Sequence, residues 1–417
     1  MARFAAFASI GAALRQRNFA WYLTGSTIAL TGMWAQRVAI GWLAWELTHS
    51  GTWLGLVSFA DLFPTVIFTP IAGVIADRVD RRRMSIFALS LAMVQAFTLA
   101  ALTWFKLIEI WSLLALVVFS GIVFAFNAAA RLAMVPNLLE RQHVPSALAL
   151  DSATFNIARF IGPAVAGATI AAWGVSMTFL LNSLTFTVFI FSLARARMVR
   201  SEILVRGRSS AGMVSQIGEG MRYASGHAGI GPIMVLLIAS SIGVRGFMEL
   251  LPGLADEVFH RGAVGLAQLN SVAGVGAFIT TFWLAQRGHI RGITSSAIYG
   301  LLASGIAVVV FAATDIFWIG LLATLVAGAT SSLCATGTQT LMQTVVAGEM
   351  RGRVMSLYAM FNRGAPAIGA LMMGAASEVI GFQNALLGGA AVALVTLFWV
   401  LRRRKSMTAA LEGETGG

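Results

Sequence analysis

Seven stretches of this chain, 84–105, 110–130, 175–194, 262–286, 292–314, 316–348 and 379–401, contain no charged side chain. A helix needs about 20 apolar residues to cross the hydrocarbon core of a bilayer. Lipid offers no partner for bare backbone amides, so such a run crosses as a helix. Five more stretches, 19–45, 52–76, 147–173, 229–251 and 354–377, have the same character and carry one or two isolated charges. The chain therefore reads as an all-α membrane protein with twelve transmembrane helices. Composition agrees: 58% of its 417 residues are hydrophobic and 11% charged, against about 25% charged in soluble domains.

An even number of spans puts both termini on one side, and basic residues choose the side. With the termini cytoplasmic, 23 of the 29 lysines and arginines fall in loops on that side. Lys106 and Arg261 alone fall on the other, and Arg37, Arg159, Arg245 and Arg363 lie within spans. This asymmetry accounts for the net charge of +12 without a nucleic-acid partner, because the cations form short clusters between apolar runs. The expected setting is the inner membrane of a bacterium, with a monomer in the bilayer. Residues 1–18 read as an amphipathic helix on the cytoplasmic surface. It is expected to be retained, since Arg15 and Arg17 follow its apolar stretch rather than precede it.

Enzyme and pump classes find no support in the residues. Cys334 stands alone in an apolar run and the five histidines are scattered, so no disulfide, metal site or cofactor is expected. No G-x-x-x-x-G-K-[ST] loop is present to bind ATP. No nucleophile–base set offers itself as catalytic.

The longest polar segment separates two related halves. Arg37 matches Arg245, Ala76-Asp77-Arg78 matches Ala285-Gln286-Arg287, and Phe155-Asn156 matches Phe361-Asn362, at offsets of 208, 209 and 206. The organisation is then a 1–18 surface segment, a 19–196 six-helix bundle, a 197–228 cytoplasmic linker, a 229–402 six-helix bundle and a 403–417 tail. Two six-helix halves in parallel repeat place a substrate site near the membrane midplane, between the halves.

Between spans two and three stands G-V-I-A-D-R-V-D-R-R-R at 73–83. It resembles the loop signature of the major facilitator superfamily, G-x-x-x-D-R-x-G-R-[RK], with Asp80 where the family has glycine. Gly73 permits close helix approach, and Asp77, Arg78, Arg81 and Arg82 can form charge-assisted bonds that latch one side of the protein. Further stretches resemble the enterobactin-exporter-like and macrolide-efflux-like branch: L-R-Q-R-N-F at 14–19, E-L-T-H-S-G-T-W-L-G at 46–55, P-N-L-L-E-R at 136–141, F-N-I-A-R-F-I-G-P-A-V-A-G at 155–167, L-L-P-G-L-A-D-E-V-F at 250–259 and R-G-R-V-M-S-L at 351–357. The resemblance implies a twelve-helix exporter, commonly driven by proton exchange, whose cargo it does not name. Gly162, Pro163 and Gly167 resemble a degenerate antiporter motif of the fifth helix. The plainer reading is a small-residue packing face with a proline kink.

Ionisable groups inside spans are costly and usually functional. Arg37 and Asp61 each lie about nine residues from the outer membrane surface, near midplane at 1.5 Å rise per residue. Asp61 is the candidate proton-coupling carboxylate: burial and an adjacent guanidinium act on it in opposite directions, so movement of Arg37 would load and unload a proton. The alternative is a static ion pair. Arg159, Arg245, Glu249, Arg363, Asn156 and Asn270 are the cavity candidates, with Asn270 the second-half counterpart of Asp61. Four central arginines against two acids favour anionic or catechol-like cargo. Trp34, Trp42, Phe63, Phe155, Phe247 and Phe361 could stack a planar group, or serve only as lipid-facing bulk. The expected partners are the bilayer, a small molecule and protons. The competing functions are an importer of a small metabolite and a non-transporting scaffold or sensor.

Overall fold

The computed structural model describes residues 15–196, 213–287 and 290–413, and these contain helices and turns without any strand. Most of the 1–18 segment, the 197–212 part of the linker and His289 lie outside the described residues. Twelve long helices follow one another: α1 (Arg17–Thr48), α2 (Gly51–Ala76), α3 (Arg81–Trp104), α4 (Ile110–Met134), α5 (Val144–Trp173) and α6 (Val175–Arg195), then α7 (Ile230–Val258), α8 (Gly262–Arg287), α9 (Ile293–Ala312), α10 (Phe317–Val345), α11 (Gly348–Ile380) and α12 (Phe382–Glu412). Ten of them are long and apolar enough to cross a membrane. The other two, α1 with 32 residues and α11 with 33, are longer but more polar. They carry Gln36 and Arg37, and Asn362 and Arg363, in mid-helix.

The turns repeat between the halves. His49, between α1 and α2, has φ 47°, and His260, between α7 and α8, has φ 50°. Histidine is among the few residue types that enter this region readily, and each is followed two residues later by the glycine that starts the next helix. Gly174, between α5 and α6, and Gly381, between α11 and α12, have φ 84° and 79°. Glycine takes that conformation without steric cost. These paired turns extend the half-chain repeat beyond the matches visible in the spans.

The chain divides into two compact units: unit 1 is Met1–Leu47 with Phe63–Gly207, and unit 2 is Thr48–Leu62 with Arg208–Gly417. Unit 1 buries Phe19, Tyr22, Leu89, Met134, Phe186 and Leu193 in one core. Unit 2 buries Ile233, Leu237, Leu301, Cys334, Leu341, Leu357 and Leu411 in another. Outward-facing apolar side chains are far more exposed than water would tolerate: Leu132, Trp318, Val379 and Val395 each exceed 70%. In a chain of spanning helices, lipid covers them.

The first turns of α2 belong to unit 2, which span composition does not reveal. Gly51 and Gly55 lie against α11, where a Cβ on Gly55 would stand 2.6 Å from Ala370 O and 2.8 Å from Leu371 Cα. Glu378 of α11 accepts from Ser50 Oγ (2.5 Å) and Thr52 N (3.3 Å). Small residues four apart give the close helix approach that membrane packing uses in place of a hydrophobic driving force. Gly55→Leu is expected to destabilise unit 2 by roughly 1–3 kcal/mol through overpacking. Gly73→Leu, with nothing within 4 Å of a Cβ there, should leave stability unchanged. Thermal unfolding of the purified variants, followed by tryptophan fluorescence, compares them directly.

Within the linker, Met213–Gly226 forms a helix that docks on α11, with Arg353 Nη1 2.5 Å from Glu219 Oε2.

Candidate functional site

The loop after α2 is fastened to its own unit. Asp80 N-caps α3, its side chain accepting from Arg83 N at 2.8 Å. The residue that departs from the glycine of the signature thus has a local task. Arg81 donates to Ala133 O near the end of α4 (3.2 Å), and Arg82 donates to Ala194 O near the end of α6. Cations at helix C-termini satisfy orphan carbonyls and favour the helix dipole. Asp77 is half-exposed and 4.0 Å from Arg81, while Gly73 faces open space. Asp80→Ala is expected to cost about 1 kcal/mol and Asp80→Gly only a few tenths. Parallel denaturation curves of the two variants check that order.

Beside this loop lies a polar group built on one of the cations counted on the cytoplasmic side. Arg131 of α4 pairs with Asp151 of α5 at 2.9 Å, and Tyr22 of α1 donates to the same carboxylate at 2.8 Å. Both charged side chains are less than one-fifth exposed. The available signal was Asp151 itself, an acid inside an otherwise apolar run.

Deeper in unit 1, charge and aromatic surface meet. The guanidiniums of Arg37 and Arg159 each lie 5.6 Å from the centroid of the Trp34 ring. Phe155 meets the same indole edge-on, at 5.7 Å and 74°. Gly162 makes this possible, because a Cβ there would strike Trp34 Cβ and come within 3.0 Å of Thr31 O. The antiporter-like stretch thereby becomes the place where α5 crosses α1, and Gly162, Pro163 and Gly167 are buried. Asn156 turns back to its own helix, donating to Ser152 O.

A buried amide chain runs alongside. Asn182 donates to Gln36 (2.8 Å), Gln36 to Gln95 (3.1 Å), and Gln95 to Leu116 O (3.2 Å), linking α6, α1, α3 and α4. A cavity of about 240 Å³ adjoins it, walled by Thr31, Gly32, Ala35, Val165, Thr169 and Asn182 among others. Of the threonine hydroxyls in its wall, Thr31 bonds back to Thr27 O and Thr169 to Val165 O, while Thr169 and Thr178 also meet through their hydroxyls at 2.7 Å.

Unit 2 concentrates its polar chemistry on α7. Two π-helical turns, Ser241–Arg245 and Leu254–Val258, interrupt this helix. Such turns are rare and frequent at functional sites. Arg245 closes the first turn and donates to both Asn362 O (2.9 Å) and Asn362 Oδ1 (2.7 Å) on α11. Glu249 accepts from Ser58 Oγ at 3.4 Å. The repeat partners Arg37 and Arg245 are thus used differently: one lies against an indole, the other is held by an asparagine. Asn270 donates to Leu266 O on its own helix. Arg363 is partly exposed on α11. Arg37 falls in unit 1 and Asp61 in unit 2. No cluster of three or more histidine, cysteine or acidic residues suited to a metal occurs among the described residues.

Residues 8–414 match the family model described as transmembrane secretion effector. The staphyloferrin A transporter of Staphylococcus aureus (strain NCTC 8325 / PS 47) is 23% identical, over 92% of this chain and 96% of that one. The enterobactin exporter EntS of Citrobacter koseri is 23% identical over 86% and 85%. The crystal structure of the nucleoside transporter NupG superposes with a TM-score of 0.71 at 12% identity, covering 93% of this chain and 99% of that one. The family and the fold are those of transporters, not of enzymes.

Proposed function

The chain belongs to the transmembrane secretion effector family of major facilitator transporters, and from that premise we propose that it exports a small amphiphilic molecule, siderophore-like or drug-like, by proton-coupled alternating access. It does so as a monomer in a bacterial inner membrane, with both termini cytoplasmic. The observation that carries this reading is the interrupted α7. A transporter builds its midplane site from broken helices, where irregular backbone is tolerated only beside protein or a cavity. Here the break coincides with Arg245, Glu249 and Asn362. A scaffold has no need of charges at that depth, and their cost argues for use.

In this reading Asp61 carries the proton and Arg37 answers it, while Arg159, Arg245, Glu249, Arg363, Asn156 and Asn270 border the cargo. Gly73, Asp77, Arg78, Arg81 and Arg82 govern closure on the cytoplasmic side. Cargo and proton bias the two states only through the difference in their affinity for each. The siderophore-like class is motivated by the names of two relatives and by the surplus of central arginines.

The test is purified protein in proteoliposomes under an imposed pH gradient, presented with siderophores, macrolides and dyes. Movement of at least one compound that follows the gradient is expected, and collapsing the gradient should stop it. Movement indifferent to the gradient would remove proton coupling. Movement in the opposite sense would make the chain an importer.

A further inference from the structure

We propose that the C-terminal end of α12 and the first turns of α9, both in unit 2, form a binding site for the headgroup of an anionic phospholipid. The helix α12 does not stop where its apolar run stops. It continues through Arg402, Arg403, Arg404 and Lys405 as far as Glu412. The continuation is docked. Met407 and Leu411 are fully buried, and a Cβ on Gly229, just before α7, would strike Leu411. Glu412 accepts from Gly292 N (2.6 Å) and Thr294 N (2.8 Å), so its carboxylate closes the start of α9. The cations between the span and this anchor are therefore carried on a fixed helix.

Three guanidiniums are also held from the side. Arg402 lies 4.4 Å from the ring centroid of Phe398, and Arg403 lies 4.5 Å from that of Trp399, each one turn back along α12. Arg404 crosses to α9, donating to Tyr299 Oη (2.8 Å) and Ser295 Oγ (3.3 Å). Rings and hydroxyls position a guanidinium without neutralising its charge. Phe398, Trp399 and Tyr299 are themselves exposed, and Trp and Tyr in spanning helices favour the headgroup level. From there toward the membrane interior, exposed Ile306 and Val310 continue the face of α9, and exposed Val392 and Val395 that of α12. The two helices pack directly, since a Cβ on Gly305 would stand 3.0 Å from Leu394. A phospholipid matches this arrangement at both ends. Its phosphate oxygens suit the guanidinium forks, and its acyl chains suit the apolar faces. Each juxtamembrane cation favours an anionic lipid by about fivefold. A zwitterionic lipid carries its own cation and forfeits most of that gain. Setting the orientation of the chain needs only the sign of these charges, whereas a lipid site needs their fixed positions.

The site holds whatever molecule the protein moves. The experiment is native mass spectrometry of the full chain in detergent, titrated with phosphatidylglycerol or with phosphatidylcholine of the same acyl chains. The first phosphatidylglycerol should bind at least about tenfold more tightly than the first phosphatidylcholine. Arg403→Gln and Arg404→Gln should each weaken phosphatidylglycerol about fivefold and leave phosphatidylcholine unchanged. Arg195→Gln is the control. Arg195 ends α6 in unit 1 and also lies over aromatic rings, those of Phe191 and Trp21, so its loss should leave the first phosphatidylglycerol unaffected. Unfolding temperatures confirm the fold, and if Arg404→Gln is unstable, Arg403→Gln decides alone. Equal binding of the two lipids overturns the site, as does a folded Arg403→Gln that binds phosphatidylglycerol like wild type. An equal loss in Arg195→Gln also overturns it, because the effect would then belong to surface charge in general. Glycerol phosphate in excess should not displace the lipid; displacement would assign the site to a soluble phosphate and overturn the lipid as its occupant.

Discussion

Proton-driven transport by Asp61→Asn is expected to fall at least about tenfold, while exchange of cargo without a gradient stays near the wild-type rate. Coupling free energies of about 1–3 kcal/mol correspond to roughly 5–150-fold, and removing the titrating oxygen removes the whole of that term. Asparagine keeps the shape of the side chain, so the helix and its neighbours are preserved. Exchange needs only the cargo-loaded states and does not require the proton to come off. The residue sits where α2 has polar company: Ser58, one turn before it, donates to Glu249, and Pro64 follows three residues later. The measurement is radiolabelled cargo flux in proteoliposomes, once with a pH gradient and once as counterflow. A variant that retained its full gradient dependence would exclude Asp61 as the coupling acid and make Glu249 the next to test.

Arg131→Ala should cost about 3–5 kcal/mol of stability, as breaking a buried ion pair does when one charge is left behind. Among the described residues, Asp151 would keep the hydroxyl of Tyr22, in a place where its side chain is 18% exposed. Tyr22→Phe removes one neutral-to-charged hydrogen bond and should cost about 1.5–3 kcal/mol. Arg131→Ala combined with Asp151→Ala should cost less than the sum of the two single changes, because the double variant strands no charge. A double-mutant cycle by denaturant unfolding in detergent reads the difference directly. Additive costs would mean that the pair is not coupled, despite the 2.9 Å contact.

The spans were legible because lipid imposes length and apolarity on every crossing segment, and that constraint is local to each run. The repeat was legible for the same reason: Arg37 and Arg245, or Phe155-Asn156 and Phe361-Asn362, sit at fixed distances along the chain. What joins distant runs was not. Tyr22 and Asp151 are 129 residues apart, and no local pattern announces their bond. The π turns of α7 leave no mark in hydropathy, since one extra residue in a turn changes neither length nor composition appreciably. The amide chain through Gln36, Gln95 and Asn182 could have been suspected, because uncharged amides in lipid need partners, but which amide meets which depends on helix order. In the sequence Asp80 stands out as a departure from the loop signature, although an aspartate just before a helix is a common cap. The passage of α2 from one unit to the other is invisible in its uniformly apolar sequence.

That passage has a mechanical consequence. The chain changes units at Leu47–Thr48, again at Leu62–Phe63, and a third time at Gly207–Arg208. At the first two crossings there is almost no spare contour length. One is the two-residue turn of His49 and Ser50, with His49 already in a left-handed conformation. The other adjoins Pro64 within a continuous helix, where one backbone hydrogen bond is missing and bending is easy. Torsion at His49 and bending at Pro64, fifteen positions further along the chain, are therefore where this crossing segment can change direction. With the first half of α2 as the rigid segment between them, a substitution that stiffens either point is expected to slow the transport cycle without touching cargo or proton.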